Sequence, residues 1–113
     1  TLLASACSPS KPPLDQLAAA SRALAVARTA GAPSLAAEDF AAAGQRFNDA
    51  QDAESQDDYA AAADLASESE VTSELATARA RLAKARAAVA RLQQDNATLS
   101  GELGDQTPAE EQP

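Results

Sequence analysis

The 113 residues allow at most one small domain, and alanine supplies 32 of them, against 19 from Leu, Val, Phe, Tyr and Cys together and none from Ile, Met or Trp. At ~25 cal/mol per Å² of apolar area buried, such side chains hold slender helices together rather than a thick globule, and the low β-branched content, three Val and six Thr with no Ile, argues against a sheet protein. The absence of histidine and the single cysteine, Cys7, exclude His-based catalysis, an internal disulfide and most familiar metal sites, and the net charge of −8 argues against a nucleic-acid surface, so no enzyme, metal or cofactor is expected.

The first residue is Thr1, and further residues are expected upstream of it. The opening Thr1-Leu2-Leu3-Ala4-Ser5-Ala6-Cys7 is a short apolar run of mostly small residues closed by the cysteine, too short to span a bilayer. It resembles the end of a bacterial lipoprotein signal peptide, with Ser5, Ala6 and Cys7 matching and Ala4 standing where that family usually has leucine. The resemblance implies that residues 1–7 end a leader, that Cys7 is lipidated, and that Ser8 in the following position directs the protein to the outer membrane, facing the periplasm. Residues 8–13, Ser8-Pro9-Ser10-Lys11-Pro12-Pro13, read as an extended tether between anchor and body.

From Leu14 onward the residues are strong helix formers, and the fold expected is all-α: two shorter helices and one long one, packed as an antiparallel hairpin or three-helix arrangement with a coiled-coil-like extension. Helix one is expected over 14–30, with Leu14, Leu17 and Leu24 on one face beside Ala18, Ser21 and Ala25. Gly31 suits the position after its C-cap, Pro33 prevents continuation and Ser34 suits an N-cap. Helix two is expected over 35–53, with Phe40, Ala43, Phe47 and Ala50 as one stripe. A third helix, capped by Ser55 or Asp57, is expected over 58–95, its first part packing through Tyr59, Ala62, Ala63 and Ala66. Residues 96–113, with Gly101 and Gly104, read as a fraying helix end and a disordered acidic tail.

The far part of helix three carries the clearest periodicity. Leu75, Leu82, Val89, Asn96 and Leu103 recur every seven residues, and Val71, Ala78, Ala85, Leu92 and Leu99 form a second series offset by three. These are the a and d positions of a heptad repeat. Val71, Leu75, Leu82, Val89, Leu92, Asn96 and Leu99 are therefore the candidate interaction face, either for self-association or for an envelope protein partner, or else one side of a helix folding back on its own domain. Asn96 at an a position favours a parallel pair, whereas Arg81 and Arg86 would then repel across the g and e′ positions; the orientation stays open. Charge is segregated as well: between Glu38 and Glu74 eleven acidic residues stand against Arg46 alone, and Arg79, Arg81, Lys84, Arg86 and Arg91 follow with no acidic residue among them. That basic block suits docking on acidic helix two, on a neighbouring chain or on an anionic surface.

The stretch from Leu14 to about Leu82 resembles the bacterial family named domain of unknown function 4398. The resemblance is carried by Leu17-Ala18-Ala19-Ala20, by Ala25-Val26-Ala27-Arg28-Thr29-Ala30-Gly31-Ala32, by Phe40, Ala43 and Phe47, and by Asp57-Asp58-Tyr59 followed by Ala62 and Ala66. It implies an exported, alanine-rich helical domain, often of a lipoprotein, and in related proteins such a domain precedes a peptidoglycan-binding module. Two readings of function follow. One is a lipid-anchored, non-enzymatic structural or interaction protein of the envelope. The other is a small helical binding module that takes a peptide, lipid or peptidoglycan-associated partner around Phe40, Phe47 and Tyr59.

Overall fold

The computed structural model describes residues 10–106, and they are all-α. The expected leader, Cys7 and the last seven residues of the acidic tail lie outside the described residues. Four helices follow one another: α1 (Leu14–Thr29), α2 (Ala32–Leu35), α3 (Ala37–Ser55) and α4 (Tyr59–Gln106). The chain divides into two compact units, one ending at Arg81 and one beginning at Leu82.

The breaks between helices are set by local backbone chemistry. Gly31 takes φ 89°, a left-handed conformation that costs glycine little and other residues more. Its carbonyl accepts the N–H groups of Ser34 and Leu35 at 3.2 and 3.0 Å. Ser34 therefore sits inside the one-turn helix α2 rather than capping the next helix, and its hydroxyl also donates to the Gly31 carbonyl. Ala36 precedes α3 and supplies no side-chain cap. At the second break Asp57 adopts φ 60°, and the cap falls on its neighbour: the Asp58 carboxylate accepts the Ala61 N–H at 3.2 Å. The expected caps Ser34, Ser55 and Asp57 are thus each displaced, because the chain spends extra residues on a tight turn before each helix begins. The end of α4 differs too. It passes Asp95, Gly101 and Gly104 and runs to Gln106, although each glycine costs a helix about 1 kcal/mol.

In the first unit the buried residues are small. Ala20 and Ala27 of α1, Ala43 and Ala50 of α3, and Ala62, Ala66, Ala76 and Ala80 of α4 are all fully buried. Ser69 and Ser73 are buried with them and complete a 4-3-4-3-4 spacing along α4. Side chains of this size let helix backbones approach to the short end of the usual ~8–10 Å range. One cluster joins Ala27, Ala30, Ala32, Ala36, Ala76 and Ala80, with Phe40 packed against it. A second joins Ala20, Ala50 and Ala66, with Leu17, Phe47 and Leu65 against it. The start of α1 thus meets the end of α3, and the end of α1 meets the start of α3.

The buried hydroxyls are all satisfied. Ser69 Oγ on α4 donates to the Ala43 carbonyl on α3 at 2.8 Å, Ser73 Oγ to the Ser69 carbonyl, and Thr77 Oγ1 to the Ser73 carbonyl. The expected face of α1 is corrected by this packing. Ala18, Ser21 and Ala25 are exposed and Leu14 is 65% exposed, because the close approach selects the alanine row and leaves the leucines to pack at its margin.

Candidate interaction surface

The basic block begins by docking on the acidic helix. Arg79 Nη1 donates to Asp39 Oδ2 of α3 at 2.6 Å, and Arg46 of α3 reaches Glu68 Oε2 of α4 at 3.3 Å. Both pairs are open to solvent on at least one side and contribute at most about 1 kcal/mol each, so they set alignment more than stability.

Two of the three aromatic residues, Phe40 and Phe47, face the first unit's own clusters. Phe40 and Phe47 are half-buried against alanines, and the Arg28 guanidinium lies 5.5 Å from the Phe40 ring centre, a cation–π contact. Tyr59 donates its hydroxyl to Asp57 Oδ1 at 2.9 Å. That bond raises the Tyr59 pKa above its ordinary value of 10.0, helped by desolvation and by the negative charges of Asp57 and Glu54. An open groove of about 370 Å³ lies elsewhere in the unit, between α1 and α4. Ala19, Ala23 and Val26 form one wall, Thr77 and Ala78 the other, and Arg22, Glu70, Glu74 and Arg81 stand at its edge. Among the described residues neither Arg22 nor Arg81 is in an ion pair. The sequence reading missed this groove; its one signal was the run of small residues on α1.

The heptad residues are on the surface. In the first unit Val71 is 65% exposed and Leu75 is also exposed. At ~100° per residue the buried row Ala62 to Ala80 and the row through Val71 and Leu75 lie on nearly opposite sides of α4. In the second unit Leu82, Val89, Leu92 and Leu99 are each about half exposed or more, and Asn96 is exposed with them. Ala85 leaves a dent on this face, bordered by Leu82, Arg86, Val89 and Gln93. Residues 84–105 are all exposed. Among the described residues no cluster of acidic or sulfur side chains suits a metal ion, and no helix is long and apolar enough to cross a membrane.

Residues 15–92 match the family described as Domain of unknown function (DUF4398), so the chain belongs to that family. No curated protein and no solved structure matches it.

Proposed function

We propose that this family member is a non-enzymatic, lipid-anchored interaction protein of the bacterial envelope, held by Cys7 on the periplasmic face of the outer membrane. In this reading Ser8 to Pro13 form a tether, α1, α3 and the first part of α4 form an up-and-down head, and the rest of α4 is a coiled-coil-like extension that docks on a partner. The observation that carries it is the row of exposed Leu82, Val89, Leu92 and Leu99 at heptad spacing on a helix segment whose other residues, Leu103 apart, are small or polar. Four large apolar side chains aligned on one helix face favour a covered rather than a solvated helix. Leu82→Asp and Leu92→Asp are expected to abolish assembly while the first unit keeps its melting temperature, read by crosslinking in the native envelope and by circular dichroism. Unchanged assembly in both variants would refute the docking role. A mass spectrum of the mature protein without acyl chains on Cys7 would refute the anchor.

The groove between α1 and α4 supports a second reading, a small binding module for a peptide, lipid or peptidoglycan-associated partner. Its apolar walls and charged edge suit a short amphipathic segment.

A further inference from the structure

We infer that the second unit pairs with the same segment of a second copy of this chain, running in the opposite direction. The inference rests on the docking role proposed for the heptad face and names its occupant. Its basis is the charge order along the exposed helix. Lys84, Arg86 and Arg91 come first with no acidic residue among them, and Asp95, Glu102 and Asp105 follow with no basic one. All six are exposed. A parallel pair sets basic beside basic and acidic beside acidic. An antiparallel pair sets each block against its opposite.

The apolar positions allow one well-matched register. With Leu82 opposite Leu99 of the second copy, Val89 meets Leu92, and Asn96 meets the dent at Ala85. The small side chain there leaves room for the asparagine amide to keep its contact with solvent. In this register Asp95 lies level with Arg86 of the second copy, within its basic block, and Glu102 shares a flanking edge with Arg81 of that copy. In the parallel alternative Arg81 faces Arg86 and Asp95 faces Ser100, and this loss of opposite-charge pairing outweighs the register signal that an Asn96 pair would supply.

The test uses the full chain carrying Cys7→Ser, in which an added thiol is the only one. Leu82→Cys and Leu99→Cys chains are prepared separately, mixed and mildly oxidised. A mixed disulfide between the two chains is expected, whereas self-linked Leu82→Cys dimers in the mixture indicate a parallel pair and overturn the inference. Sedimentation of the Cys7→Ser chain at micromolar concentration is expected to give a dimer that weakens as salt rises, and a monomer there also overturns it. Asp95→Lys with Glu102→Lys is expected to raise the dimer dissociation constant on the order of tenfold; no change removes the charge argument. If the chain is monomeric yet Leu82→Asp still loses its envelope crosslinks, the docking role stands and the occupant is a different protein.

Discussion

At the scale of single residues, the turn before α4 is the most specific chemistry in the molecule. Asp57 is held at φ 60°, where aspartate is tolerated better than most residues, and its carboxylate accepts the hydroxyl of Tyr59. The hydrogen bond favours the protonated phenol, so the folded-state pKa is raised. A raised folded pKa means that this contribution to stability is complete below the unfolded tyrosine pKa near 10 and is lost as pH climbs through the folded value. Tyr59 is the only tyrosine, so the tyrosinate absorbance reports it without ambiguity. Asp57→Asn is expected to bring the titration midpoint down toward the ordinary value, because it removes both the charged acceptor and the nearest negative charge. A midpoint unchanged by the substitution would mean that the bond does not form in solution.

At the scale of the helices, the small-residue row decides the packing. Ala20 and Ala27, Ala43 and Ala50, and the α4 row of Ala62, Ala66, Ser69, Ser73, Ala76 and Ala80 occupy the space between helices with little side-chain volume. Such an interface has no slack. Ala66→Leu or Ala76→Leu adds apolar surface but forces backbones apart, and each is expected to destabilise the first unit by about 1–3 kcal/mol, measured as a lower urea midpoint. Ala78→Leu, at an exposed position of the same helix, is expected to leave the midpoint nearly unchanged. A hydropathy-led core would give the reverse order. The helices themselves were legible in the sequence, since alanine, leucine, glutamate and arginine leave little alternative, and the stripe of Phe40, Ala43, Phe47 and Ala50 was legible from its spacing. The packing face of α1 was not, because a reading led by leucine misses that the closest contact belongs to the smallest side chain. The caps were displaced because Pro33 fits the first turn of a short helix as well as the stop before a longer one, and because Asp57 and Asp58 are equally good cap residues by type. The heptad face was legible as a face, but a periodicity in one chain does not name what lies against it. The groove beside Arg22 escaped for a related reason: it is made by two helices whose pairing depends on alanines.

At the scale of the whole molecule, burial and exposure are divided along the chain. Among the described residues every buried side chain lies at or before Ala80, and the two interhelix ion pairs, Arg46–Glu68 and Arg79–Asp39, do too. The two hydrophobic clusters and both ion pairs of the first unit are therefore made by its own residues. A chain ending at Arg81 is expected to keep the melting temperature of the full chain to within a few degrees, since the clusters and ion pairs that hold the first unit lie within it. The same truncation removes Leu82, Val89, Leu92 and Leu99 together, and assembly is expected to be lost completely. The two readouts separate the roles of the units. A large fall in melting temperature would mean that the exposed helix stabilises the head, by contacts or by pairing that couples to its folding. Retained assembly would move the docking surface to the first unit, where Val71, Leu75 and the groove between α1 and α4 are the exposed features left to carry it.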